Sequence, residues 1–237
     1  MARKPPPRPD THQAAPPPPP PPRKSQRERV VDAFMALLAE KPIEKIGFSE
    51  IASRAGLSLA DLRGLFGSTL AILAAQIKEI DRAVLAGVDA DMAEEPPRER
   101  LFDVLMRRIE VLAPHKAAVR SLAQSAARNP GLGLALNSLA VRSQQWMLTA
   151  ADISASGPRG MIRAQGLAVL FASVLRTWID DDDPGLARTM AALDRALARG
   201  QSWSGFLDDV LRIPGRIFGG RTRRRRRDEG GGETAAA

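Results

Sequence analysis

The chain of 237 residues contains no cysteine, no tyrosine and only two histidines, His12 and His115. Without cysteine there are no disulfides, no thiolate metal sites and no thiol nucleophile. Two histidines leave almost nothing from which to assemble a zinc site or a histidine-based triad. No enzymatic activity, metal or cofactor is therefore expected. Long apolar runs are scarce too. The longest uncharged stretch that leans apolar, residues 129–141, falls short of the ~20 residues a membrane-spanning helix needs. The charged N-terminus runs into proline, where an export signal needs an apolar segment of about 7–15 residues. A cytoplasmic location is expected.

What is present is charge, unevenly spread. The formal net charge is +8. Residues 1–29 carry seven basic groups against Asp10 and Glu28, and residues 212–237 carry eight arginines against Asp228, Glu229 and Glu233. Residues 30–211 retain 20 basic and 22 acidic groups. The basicity therefore lies at the two ends, which should be drawn to polyanions, nucleic acid or anionic lipid.

Composition divides the chain further. Residues 1–24 include the runs Pro5–Pro7 and Pro16–Pro22, which favour polyproline II and form no core, so a disordered tail is expected. Residues 214–237, with Arg223–Arg227, read as a second disordered tail. Between them Ala, Leu, Arg and Glu dominate and proline or glycine breakers fall at intervals, so the body is all-α. The pattern predicts helices over about 25–40, 48–54, 58–65, 68–92, 98–112, 115–128, 131–152, 160–180, 187–199 and 201–212. Ser25 is placed to cap the first. Residues 25–68 form an N-terminal three-helix domain. Residues 69–200 form a second helical domain, and 201–213 an appended amphipathic helix.

Residues 51–68 have the spacing of a helix-turn-helix. Ala52 sits where two helices touch, and Gly56 follows where the turn needs a positive φ. Ile51, Ala55, Leu57, Leu62 and Leu65 supply packing positions, and Ser58 is placed to cap the second helix. Its exposed positions carry little charge. Over 41–68 the net is +1, from Lys41, Lys45, Arg54 and Arg63 against Glu44, Glu50 and Asp61. If this module reads double-stranded DNA, the contacts fall to Ser58, Leu59, Ala60, Asp61 and Arg63, with Lys45 and Arg54 on phosphates. Arg63 suits a guanine, Ala60 a thymine methyl and Asp61 a cytosine amine. The basic segment 23–29 is placed to add phosphate or minor-groove contacts.

The run Phe48, Ile51, Ala52, Ala55, Gly56, Leu57, Ser58, Leu62, Phe66 and Ser68, preceded by one helix and followed by a long one, resembles the TetR family of bacterial repressors over residues 25–92. That resemblance implies a helix-turn-helix domain joined to a C-terminal ligand-binding and dimerisation domain. It further implies a repressor that responds to a small hydrophobic effector, with helices near 160–180 and 187–199 pairing two copies. Three positions depart from the family. Arg63 stands where a tyrosine is usual, Leu65 where a histidine is common, and Gly47 where a threonine or serine opens the first motif helix.

In the C-terminal half, Trp178, Ile179, Asp180–Asp183 and Pro184, followed by Ala191–Arg195, resemble the TetR-fold lipid-binding family that assists ubiquinone biosynthesis. This resemblance implies an alternative: a lipid- or quinone-binding accessory protein with a vestigial helix-turn-helix and peripheral membrane contact. Trp203, Phe206, Leu207, Val210 and Leu211 lie on one apolar face, beside the arginine run, as an anionic membrane surface would require. Phe102, Met106, Trp146, Met147, Phe171 and Trp178 are candidates to line a ligand cavity, with ordinary core as the competing reading. The four aspartates at 180–183 read as a solvated turn, and His115 as a surface or helix-start residue.

Overall fold

The structure is a computed structural model that describes Met1 and residues 24–211, without the side chains of Ala90 and 201–211. Among the described residues there are nine α-helices and no strand: α1 (Gln26–Glu40), α2 (Phe48–Ala55), α3 (Leu59–Leu65), α4 (Thr69–Ala86), α5 (Pro97–Leu112), α6 (Lys116–Arg128), α7 (Pro130–Ala150), α8 (Gly157–Ile179) and α9 (Ala187–Leu211). Of the two expected tails, residues 2–23 and 214–237 lie outside the described residues.

Two apolar cores organise the body. In the first, Val30, Phe34 and Leu38 of α1 meet Ile51, Leu62, Ile72 and Leu73. Ala118 of α6 belongs to this core, and Leu132 and Leu136 of α7 pack against it. The second gathers Ile80 and Val84 of α4 with Leu105, Ile109, Met147, Phe171, Trp178 and Leu193. Each fully buried side chain of this size contributes about 1.5–3 kcal/mol. Helix α4 therefore serves both cores, its first half in one and its second half in the other.

Two helix boundaries differ from those expected. Helix α4 stops at Gly87 and a separate 3-10 turn, Ala90–Glu94, follows. The apolar period continues through Val88, but glycine lowers the helix propensity at that point. Residues 187–211 form one continuous helix rather than two. Gly200 lies inside it, because a single glycine costs a helix only about 1 kcal/mol and no proline interrupts.

The aspartate run is more than a solvated turn. Asp182 and Asp180 do face solvent, but Asp181 is 2% exposed. Its Oδ2 accepts from the Thr189 amide at 2.9 Å and hydroxyl at 2.6 Å. Hydrogen bonding to Thr189 holds the Asp181 carboxyl below its ordinary pKa. Asp183 accepts from the Gly185 and Ala187 amides. Together they fix a turn in which Leu186 takes a left-handed φ of 51°, uncommon for a bulky residue.

Helix α6 braces both halves. Its Ser121 hydroxyl donates to Lys41 O at 3.1 Å, and its Ser125 hydroxyl to Glu44 at 3.0 Å. From its other side, Lys116 donates to Asp181 O at 2.6 Å and Arg120 to Ile179 O. Two cations thus close the carbonyl end of α8, where the helix dipole favours positive charge.

Candidate nucleic-acid interface

The geometry of the helix-turn-helix follows from a few residues. Helix α2 ends at Gly56, with φ 65° and ψ 43°, a left-handed conformation that glycine adopts without a Cβ penalty. The Leu57 amide then reaches back to Ala52 O at 2.9 Å. Ser58 caps α3. Its hydroxyl accepts from the Asp61 amide at 3.1 Å, while Asp61 accepts from the Ser58 amide at 3.2 Å and hydroxyl at 2.7 Å. This reciprocal box satisfies donors that the first turn leaves open. The Ser25–Glu28 pair does the same for α1.

Helix α3 buries Leu62 and seats Phe66 behind it, with Leu65 half-buried. The other side is open. Leu59 is 52% exposed, and Ser58, Ala60, Asp61, Arg63 and Gly64 are exposed beside it. The expected contact residues of the motif therefore share one accessible surface at the start of α3. Asp61 is committed to the cap: hydrogen bonds from the Ser58 side chain and backbone hold its carboxyl below the ordinary value.

Most cations of this domain are engaged within it. Seven lysines and arginines lie between residues 24 and 68. Arg54 makes a two-pronged contact with Glu40 at 2.8 and 2.5 Å. Lys41 pairs with Glu50 at 2.5 Å and Lys24 with Asp32 at 2.6 Å. Arg27 stacks 4.4 Å from the Phe66 ring centroid and donates to Leu65 O at 3.5 Å. Arg29 donates to Ala55 O at 3.1 Å, closing the end of α2. Lys45 and Arg63 have no hydrogen-bond or ion-pair partner among the described residues.

Arg27 and Arg29 are thus positioning residues rather than a free arm. The sequence pattern places the whole segment 23–29 to add phosphate or minor-groove contacts. Nothing in the local pattern marks an arginine at the start of one helix as the cap of another 26 positions later.

The candidate cavity residues are dispersed. Phe102 and Met106 line an open groove of about 440 Å³ between α5 and the α8–α9 turn, with Met190 and the carboxylates of Glu99, Asp103 and Glu110. Met147, Phe171 and Trp178 are at most 4% exposed, inside the second core. Trp146 is 57% exposed on the surface of α7. Trp203, Phe206, Leu207, Val210 and Leu211 have side chains outside those described; their backbone belongs to α9.

No family model matches the chain, and no curated protein matches it in sequence. Solved structures do. A TetR transcriptional regulator from Nitrosomonas europaea superposes with a TM-score of 0.58 at 20% identity, covering 74% of this chain and 98% of its own. A TetR transcriptional regulator from Rhodococcus sp. RHA1 gives 0.50 at 22% identity, over 80% and 97%. A TetR-family transcriptional regulator from Streptomyces coelicolor gives 0.50 at 17% identity, over 78% and 84%. The fold is all-α and TetR-like: a three-helix helix-turn-helix domain joined by α4 to a helical C-terminal domain.

Proposed function

We propose that this chain is a TetR-like, DNA-binding transcriptional regulator, acting as a homodimeric repressor. The observation that carries this reading is the exposed start of α3, where the unpartnered guanidinium of Arg63 stands with Leu59 and Ala60 on a well-capped helix. Such a helix presents its N-terminal residues to base edges in the major groove. Arg63 can donate twice to a guanine, and Ala60 and Leu59 offer apolar contact to thymine methyls. Lys45 is free to meet a phosphate. Arg54 would reach one only by leaving Glu40.

Two copies would read half-sites about one helical turn apart. A small hydrophobic effector in the C-terminal domain would favour the conformer with the wrong spacing and release the operator. The protein is then a soluble cytoplasmic one, as DNA binding requires.

Genome-wide capture of bound DNA, repeated with the Arg63→Ala variant, tests the reading. Discrete sites that disappear in the variant are expected. Salt-sensitive, sequence-blind binding that survives the change would overturn it.

A further inference from the structure

The open groove between α5 and the α8–α9 turn joins an apolar floor to an acidic rim. Met92, Phe102, Met106, Leu186 and Met190 line it, and Glu99, Asp103 and Glu110 stand along α5 beside them. Met190 is 41% exposed, so the floor is open to an occupant.

The charge around this groove is one-sided. Residues 89–110 hold seven carboxylates and four arginines, and residues 180–194 hold five carboxylates and Arg188 alone. The arginines are already engaged. Arg98 holds Glu99 and Asp194, Arg107 holds Asp103, and Arg108 is buried on Asp81. Arg100 donates to the Ala93, Glu95 and Ala151 carbonyls, and Arg188 to Asp180 O. Lys116 and Arg120 of α6 approach Asp182 and Asp180 only to 3.5 and 3.8 Å. Asp91, Glu94, Glu95 and Glu110 are left without an ion-pair partner among the described residues.

An occupant suited to this groove combines apolar side chains with several positive charges and lacks carboxylates. The chain carries such a segment. Residues 212–227, outside the described residues, contain eight arginines, Ile213, Ile217 and Phe218, and no acidic residue. Chain length allows the contact. Helix α9 continues from Met190 to Leu211, about 32 Å at the rise of an α-helix. Thr222 lies eleven residues beyond Leu211, and that many extended residues span up to about 36–40 Å. Helices α5 and α9 run antiparallel, since Arg98 meets Asp194 while Glu110 lines the groove with Gly185. A returning segment thus brings Ile217 and Phe218 to the Met92–Phe102 end and Arg223–Arg227 toward Glu110. Arg195 and Arg199 of α9 are exposed on the approach, where the segment from Ile217 to Gly220 is uncharged.

We propose that residues 212–227 dock in cis on this groove of their own chain, and that the docked arginine run is withheld from external polyanions. A charge-rich contact at the surface weakens with salt, and a polyanion competes for it. The contact does not rest on the DNA-binding reading.

Because the chain lacks cysteine, a pair can be introduced into the full-length protein. Met190→Cys with Thr222→Cys should cross-link within one chain on mild oxidation at low salt. Ala127→Cys, at an exposed position of α6, should cross-link with Thr222→Cys at least fivefold less. Adding Glu95→Gln and Glu110→Gln, or raising sodium chloride to about 0.5 M, should lower the first yield at least threefold. Random-sequence duplex DNA should lower it as well. Helical content is checked for each variant; Ala191→Cys, exposed beside Met190, replaces Met190→Cys if that one fails to fold.

Equal yields through residues 190 and 127 would overturn the inference. So would a yield through 190 that is indifferent to salt and to the two glutamate substitutions. Cross-links formed only between chains would overturn docking in cis and give the groove to the same segment of a second copy. A yield that duplex DNA leaves unchanged would overturn the withholding of the run.

Discussion

Arg108 of α5 donates to the Asp81 carboxylate of α4 at 2.5 Å, and the Ser143 hydroxyl of α7 donates to the same oxygen at 2.6 Å. Both charged residues are buried, at 6% and 8% exposure, and the Arg108 guanidinium lies 5.6 Å from the Phe171 ring centroid. Three helices are thus joined at one oxygen inside an otherwise apolar core. Removing one partner strands the other charge. Arg108→Met should cost about 3–5 kcal/mol in urea unfolding. The double variant Arg108→Met with Asp81→Leu should recover most of that loss, because two apolar side chains replace two desolvated charges. A double variant as unstable as the single one would contradict this account.

Gly56→Ala should destabilise the helix-turn-helix. A Cβ there would meet Arg29 only at 3.5 Å, an ordinary contact, so space is not the obstacle. The φ of 65° is, at roughly 1–2 kcal/mol for an alanine. Gly56→Asn should cost less, since asparagine tolerates this conformation. Thermal melts of the three proteins would rank them.

Ser58→Ala removes the hydroxyl that accepts from the Asp61 amide and should cost about 1 kcal/mol. The loss falls on the first turn of α3, which carries Leu59 and Ala60. Hydrogen exchange should therefore rise at the amides of residues 59–62 and stay unchanged in α8. Uniform loss of protection would mean that the cap is not a local device.

Arg29→Ala should lower the melting temperature without changing the salt dependence of DNA binding, because its guanidinium is engaged by Ala55 O. Lys45→Ala should do the reverse. A lost phosphate contact lowers the salt slope by about one per site. Titrations of affinity against salt for both variants distinguish a positioning arginine from a phosphate-binding lysine.

Burial holds the His115 imidazole below its ordinary pKa, with Asp32 opposing weakly. Its ring contacts Gln76 of α4 at 3.0 Å. The unfolded chain takes up this proton more readily than the folded one. The stability that depends on neutral His115 is thus fully present above about pH 6.5 and declines as the pH falls through the depressed folded value. His115→Gln keeps a partner for Gln76 and should flatten that part of the pH–stability profile. A steeper profile in the variant would reverse the assignment.

The sequence was most informative where spacing and chemistry coincide. Gly56, Ser58, Ile51 and Leu62 sit at intervals that only a helix-turn-helix requires, and each has the expected place. Long side chains were less legible. Arg27, Arg29 and Arg54 read as cations available to a polyanion, yet each turns to a carbonyl, a ring or a carboxylate brought near by another helix. Asp61 was read from its exposed position as an acceptor for a cytosine; that its amide and carboxyl also complete the Ser58 cap was not read. The Asp81–Arg108 pair left no local trace, since 27 positions separate its members and each sits in an ordinary amphipathic pattern.

Helix α6 sets a condition on anyone who would borrow the reading head. Residues 24–68 look like a cassette that could be cut out and fused to another sensor. Their core, however, is closed by Ala118, with Leu132 and Leu136 packed against it, and the Lys41 carbonyl and Glu44 carboxylate find their donors on Ser121 and Ser125. Excised at Ser68, the segment would carry an open apolar wound and two acceptors without their serine donors. A working graft would have to take α4, α6 and the start of α7 along. That makes the smallest transferable unit discontinuous in sequence.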